Sequence, residues 1–503
     1  MTRGRHRGSL GEAPRRRLAV AAAAALVVLA ASVNFLAGLG RPAHPIWDES
    51  YYLTSIERYE EGIAQFASHP PLGLALLAAG DMLLHPNRGI DTRRVGWDKQ
   101  IAGDLIPPDY SFAGVRLVSG VFAVLGAVLF FALMLVLTRS TLAALALASL
   151  YVFQNAFIVQ FRAAELDAFQ IAFVLAALLC FAVSTQRGRR SSPLLELTFG
   201  VAFGLAVMVK VNAAVLAPLG AMLVVRRIAM GWRSAPRGPL LLTAGRDSAI
   251  MVAGCLAAVT AVFTLHFALN RVPPDAHSPA GRKDLRFISS PYAAYLDHER
   301  PLSPAVVWGA ARDYSRFMAA DFKGVPRSDP NGSAPLEWPL GWGTINYRWD
   351  STGRETAYVQ LVGNPVGWLL GLAGLIASLA LIALPRPGGR PAAHPERRAL
   401  TIMLLLQYLV FMAVHLYLGT YRVMYLYHYF IGLLLTLCLV PLAAAEAGER
   451  WPVLRTRRTV LLGAMCALLG AGFLFYAPLT FHWYLTHGQC EWRNVLQKVV
   501  SCQ

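Results

Sequence analysis

The adjacent carboxylates Asp48 and Glu49 stand just beyond an apolar run, followed by the aromatic pair Tyr51–Tyr52 and the turn-forming stretch His69, Pro70, Pro71, Leu72, Gly73. An ionised carboxylate is costly in lipid, so acids beside a hydrophobic span usually face water, an ion or a substrate. The same pair also suits a helix start, with Asp48 as cap and Glu49 in the first turn. Further charges mark the ends of other apolar runs: Arg162, Glu165 and Asp167 in FRAAELDAF, Lys210 in VMVKVNAAV, and Arg422 in TYRVMYLYHYF, which also carries Tyr427 and His428. Each alone reads equally as a snorkelling anchor. Together they divide one kind of chemistry. A carboxylate takes the proton of an acceptor hydroxyl as it attacks, while Arg and Lys bind phosphate oxygens and stabilise a departing phosphate. This describes glycosyl transfer from a lipid phosphate by single displacement, which inverts the anomeric centre and needs one base.

Such a site needs a membrane around it. Of the 503 residues 56% are hydrophobic and 15% charged, with a mean hydropathy of +0.46, whereas soluble domains carry about 25% charged residues. The chain therefore reads as an all-α polytopic membrane protein. A net charge of +17 would suit nucleic acid if it formed one patch. The arginines instead spread through the short segments between apolar runs, as cytoplasmic loops require, so membrane lipids and no nucleic acid are the expected surroundings. Cys180, Cys255, Cys438 and Cys466 lie in apolar runs and read as small hydrophobes. Cys490 and Cys502 lie in a polar tail and can bridge if that tail is in an oxidising compartment.

A membrane-crossing helix takes ~20 mainly apolar residues, which implies about eleven spans: 18–39, 112–137, 142–160, 166–183, 195–209, 211–225, 250–269, 366–384, 400–418, 425–445 and 460–481. The first reads as an uncleaved anchor behind a basic N-terminus, 1–17, because it exceeds the ~7–15 apolar residues of a signal peptide. Basic clusters such as Arg187, Arg189 and Arg190, then Arg386 and Arg390, then Arg455, Arg457 and Arg458 fall in alternate loops. The positive-inside rule then places Asp48, Arg162, Lys210 and Arg422 on the outer, periplasmic face of the cytoplasmic membrane. Two segments can fold outside: 40–111, with interfacial helices over 48–65 and 71–84, and 270–364, rich in aromatic residues, Pro and Gly. The expected layout is a catalytic transmembrane module 18–269, an external region 270–364, C-terminal helices 365–484 and an external tail 485–503.

The Asp-Glu pair followed by His-Pro-Pro-Leu-Gly resembles the first external loop of the protein O-mannosyltransferase family. The similarity continues in RAAELD (Arg162, Asp167), in MVKVN (Lys210), in LEWPLGW (Trp338, Pro339, Leu340), in LVGNPVGW (Gly363, Asn364, Pro365, Val366, Trp368) and in RVMYLYHYF (Arg422, Tyr427, His428, Tyr429). The resemblance implies the type-C glycosyltransferase architecture and a polyprenyl-phosphate-linked sugar donor. It assigns Asp48 as general base, Glu49 to seating the acceptor, and Arg162 with Arg422 to the carrier phosphate, with Asp167 and Lys210 further members of that site. Tyr427 and His428 shape it. His69, Pro70, Pro71, Gly73, Asn364 and Pro365 hold the structure. No cofactor is required. Glu165-x-Asp167 adds an acid that the family element does not require; it reads as an ordinary charged turn or as an acid-x-acid metal pair like that of other type-C transferases, so divalent-metal dependence stays open and no metal site is expected.

The leading expectation is transfer of mannose to Ser or Thr of a protein. The alternative acceptor is a glycolipid or polysaccharide, as in the lipid A aminoarabinose transferases. A transporter or flippase is the different class. It fits poorly, because the charges gather at one interface and no paired broken helices mark two similar halves.

Overall fold

A computed structural model describes residues 12–188, 190–386, 393–495, 500 and 502. The expected basic N-terminus up to residue 11, and Arg189 and Arg390 of two basic loops, lie outside the described residues. The apolar runs form α1 (Glu12–Leu36), α4 (Ala113–Thr138), α5 (Thr141–Val152), α6 (Asn155–Arg162), α7 (Asp167–Gln186), α8 (Pro193–Val209), α9 (Ala217–Gly231), α10 (Arg237–Leu269), α14 (Pro365–Ala383), α15 (Pro395–Leu418), α16 (Phe430–Arg450) and α18 (Arg458–Thr480). Between them lie α2 (Glu49–Glu60), α3 (Pro71–Leu84), α11 (Pro279–Leu285), α12 (Ser290–Leu296), α13 (Pro304–Gly324), α17 (Pro452–Thr456) and α19 (His487–Glu491).

Among the described residues nine helices are long and apolar enough to cross a membrane, or ten if the bent pair α5–α6 is one span. The expectation of about eleven differs at two places. The expected span 142–160 is broken, α5 and α6 meeting at 60°, and the expected span 195–209 becomes the 17-residue α8. The break has a physical support. Asn364 donates from Nδ2 to the Phe153 carbonyl at 3.0 Å and to the Leu469 carbonyl at 2.9 Å, and its own N–H donates to Gln154. A backbone opened inside a membrane needs such internal partners. Asn364 also caps α14, accepting from the Val366 N–H, and Pro365 opens that helix, where its missing N–H costs nothing.

Small residues let helices approach where lipid offers no hydrophobic drive to pack. A Cβ on Gly200 of α8 would collide with the Met251 carbonyl of α10, and one on Gly204 would stand 2.8 Å from the Cys255 carbonyl oxygen. At the end of the bundle that bears Asp48, α3 packs on α4 and α2 on α3, while α12 and α13 gather around Phe66, Tyr292, Tyr314 and Phe317, and Asp284 of α11 accepts from the Phe66 N–H at 3.2 Å. The structure is not wholly helical. Strands β1 (Ile345–Ser351), β2 (Glu355–Leu361) and β3 (Tyr484–Thr486) form an antiparallel sheet in the order β1-β2-β3. Beyond β3, Cys490 and Cys502 form a disulfide.

Candidate active site

α1 ends at Leu36, and the chain turns back to start α2 with Asp48 at its N-cap. The residue before it, Trp47, has φ 48°, a left-handed conformation that a bulky side chain adopts only when its surroundings hold it there. They do: the Trp47 ring stacks on Tyr347 at 5.1 Å and meets the edge of Tyr425 at 5.6 Å. Asp48 donates its backbone N–H to Glu165 Oε1 at 3.1 Å, yet its side chain caps no N–H of α2. The carboxyl is half-buried and its pKa is pushed up to about 6, chiefly by loss of water; Lys210 opposes the shift, Asp167 adds to it and Arg422 opposes it.

Glu49 has the opposite situation. It is fully buried, and both oxygens are occupied: Arg116 donates from Nε and Nη2, each at 2.8 Å, the Ala164 N–H at 2.6 Å and the Ile46 N–H at 2.7 Å. Arg116 also donates to the carbonyls of Leu39, Pro42 and His44. Glu49, expected to seat the acceptor, holds the loop that carries Asp48, with both of its oxygens already taken by protein donors. Arg116 escaped the sequence reading, although it is the one charge within the apolar run 112–137, a position that calls for a buried acid as partner.

A second interruption sets the cation. α8 stops at Lys210, whose carbonyl accepts from Gln170 Nε2 at 3.0 Å. Lys210 Nζ donates to Asp167 Oδ2 at 2.7 Å and lies 5.2 Å from the Tyr427 ring centroid. The same Asp167 oxygen accepts from Gln160 Nε2 at 2.7 Å, and Gln160 Oε1 accepts from the Tyr347 hydroxyl. Gln160 and Tyr347 were not expected here. Tyr347 gives no sequence signal; it sits where the β1–β2 register shifts, between Asn346 and Arg348.

HPPLG positions this wall. Pro71 opens α3, and a Cβ on Gly73 would press on Leu166 and Val209, the residues just before Asp167 and Lys210. His69 accepts the Tyr314 hydroxyl proton on its carbonyl at 2.7 Å. Its imidazole is held neutral, with a pKa lowered to about 3 by burial and then by Lys210 and Arg422. His428 turns Nδ1 to its own turn, accepting from the Tyr425 N–H at 3.0 Å, and stacks near Trp338. Arg422 lies 5.1 Å from the Phe322 ring and donates from Nε only to the adjacent Val423 carbonyl at 3.3 Å.

Arg162, Glu165 and Asp167 all have partners within the protein. Arg162 donates to the carbonyls of Asn34 at 3.0 Å and Gly38 at 3.3 Å and lies 5.2 Å from the Phe481 ring. Arg162 and Arg422 thus have different surroundings, and Lys210 and Arg422 are the cations whose charges act on Asp48. Glu165 and Asp167 do not stand as a ready metal pair. Asp167 is held by Lys210 and Gln160, and Glu165 by the Asp48 N–H, with burial and then the charge of Asp48 lifting Glu165 well above the usual carboxylate range. No group of three metal-ligating side chains gathers among the described residues.

Two family models match the sequence: dolichyl-phosphate-mannose-protein mannosyltransferase over residues 25–269, and the C-terminal four-transmembrane region of protein-O-mannosyltransferase over 313–499. A comparison with curated proteins finds no match. Among solved structures, the chain is similar to the S. cerevisiae protein O-mannosyltransferase Pmt1-Pmt2 complex bound to the sugar donor. The identity is 15%, with 96% of this chain and 92% of that chain covered, at a TM-score of 0.77. Archaeal oligosaccharyltransferase AglB from Archaeoglobus fulgidus is 12% identical over 93% of this chain and 56% of its own, at 0.47. ArnT from Cupriavidus metallidurans bound to undecaprenyl phosphate is 12% identical over 86% and 78%, at 0.32. The first likeness establishes a shared fold; the other two TM-scores are too low to add to it.

Proposed function

The chain belongs to the dolichyl-phosphate-mannose-protein mannosyltransferase family, and from that membership we propose that it moves mannose from a polyprenyl-phosphate carrier to Ser or Thr hydroxyls of proteins outside the cytoplasmic membrane, with Asp48 as general base. That it is a multi-span membrane glycosyltransferase with a lipid-linked donor comes with the family. The acceptor, the face of the membrane and the base are the proposal.

One observation carries it: a half-buried Asp48 carboxyl, unspent on capping, with a pKa near 6. Such a group is ionised at neutral pH and still basic enough to take a proton. The acceptor hydroxyl oxygen attacks the anomeric carbon, forming the new C–O bond as its proton passes to Asp48. The bond from that carbon to the phosphate oxygen breaks, and its electron pair leaves with the polyprenyl phosphate. Lys210 and Arg422 face the growing negative charge. Lys210 gives one of its three N–H groups to Asp167, and Arg422 gives only Nε to a carbonyl, so both retain donors for phosphate oxygens. The Cys490–Cys502 disulfide, on the tail that follows β3, is consistent with an oxidising compartment on that side.

The test incubates membranes holding the wild-type or the Asp48→Asn protein with radiolabelled polyprenyl-phosphate-mannose. Label in protein, released by β-elimination and reduced at least ~100-fold in the variant, is the expected result for loss of a general base. Label confined to lipid or polysaccharide would move the acceptor, and full turnover by Asp48→Asn would remove the base.

A further inference from the structure

With Lys210 and Arg422 beside Asp48, Arg162 faces a separate space. A cavity of about 690 Å³ lies between the end of α1, the turn that follows it and the end of α18. Arg41 and Arg162 both line it, and neither is paired with a carboxylate among the described residues. Asp350, near His482 on the far wall, is already held by Arg348 at 2.6 and 2.8 Å. Two unpaired guanidinium groups in one partly apolar cavity form a site for an anion with two or more oxygens.

The rim shows what carries that anion. Val33, on the wall at the α1 side, is 59% exposed, and Trp483 and Tyr484, at the α18 side, are 55% and 52% exposed. Exposed Trp and Tyr at the end of a membrane helix mark headgroup level, and Leu29, one turn before Val33 on α1, is 63% exposed, giving an apolar stripe along which acyl chains can lie. We propose that this cavity binds the phosphate headgroup of a membrane glycerophospholipid, at a second lipid site distinct from that of the sugar donor. Arg162 links the site to the chemistry. Its contacts to the Asn34 and Gly38 carbonyls lie at the end of α1 from which the loop to Asp48 departs, so a bound headgroup braces that loop.

The test places the full chain in nanodiscs of phosphatidylcholine containing a photo-crosslinking phosphatidylglycerol and maps the adducts by mass spectrometry. Adducts are expected on residues 31–41 and 473–484 and should fall about tenfold or more in Arg41→Gln/Arg162→Gln, the loss of a charge-assisted contact or two. Arg162→Lys retains a positive charge and is expected to retain most of the adduct, which covers a glutamine variant that fails to fold. Asp48→Asn should label like wild type, so failure of the catalytic reading and failure of this one are separable. Adducts elsewhere, or labelling indifferent to the double variant, would overturn the proposal. So would competition by polyprenyl phosphate without competition by unlabelled phosphatidylglycerol, which would give the cavity to the carrier itself.

Discussion

Asp48 and Glu49 are adjacent, and the fold separates them in every physical respect. One is half-buried with its side chain unspent; the other is sealed in a cage of donors around Arg116. The proposed role of Asp48 as base gives a testable pH dependence through its pKa. A base works only when ionised, so transfer should fall as pH drops through about 6 and level off above it, measured as initial rate against pH at saturating donor. Lys210 favours the ionised form. In Lys210→Gln the acid limb should therefore shift to higher pH, besides any loss of donor affinity; an unmoved limb would mean that another group titrates. Glu49→Gln strands a buried Arg116, and removing one partner of a buried pair costs about 3–5 kcal/mol. A large fall in the midpoint of thermal unfolding in detergent is expected, with Glu49→Gln/Arg116→Gln milder than the sum of the two single changes.

At the scale of elements, the site is made where helices stop. The α5–α6 break, the end of α8 at Lys210 and the start of α2 at Asp48 each expose backbone groups, and each is answered by a side chain: Asn364, Gln170 and Glu165. Close helix crossing supplies the rigidity behind them. In Gly200→Ala the new methyl group meets the Met251 carbonyl of α10, and overpacking of this kind costs about 1–3 kcal/mol. A lowered unfolding midpoint with an unchanged pH profile is expected, because α8 shifts without altering the charges near Asp48. A pH profile that moved with stability would mean that the crossing sets the geometry of Lys210.

For the whole molecule, orientation follows from charge asymmetry and is open to direct test. Asp98→Cys and Ser328→Cys, in the two large segments on the Asp48 side, should react in intact cells with a membrane-impermeant maleimide. Arg233→Cys, between α9 and α10, should react only after permeabilisation. The reverse pattern would turn the active site inward and end the reading of transfer to exported proteins.

The sequence alone determined the membrane class, most of the apolar spans and the family, because these depend on composition, run length and local motifs such as HPPLG, GNPV and YHY. It also marked Asp48, Lys210 and Arg422, since isolated charges beside apolar runs are costly enough to stand out. The division between partners needed tertiary structure. Which of two neighbouring acids is caged, and which stays open, depends on Arg116 arriving from α4 and on the Ala164 N–H from the turn before α7. The sheet that carries Tyr347 pairs β1 with β2 in a short hairpin, but its third strand, β3, comes from the far end of the chain, and Tyr347 meets Gln160 across the fold. Arg162 and Asp167 lie five positions apart, yet one faces the end of α1 and the other Lys210. A one-turn helix end and the turn after it point side chains to opposite sides, and only the packed helices around them decide what waits on each side.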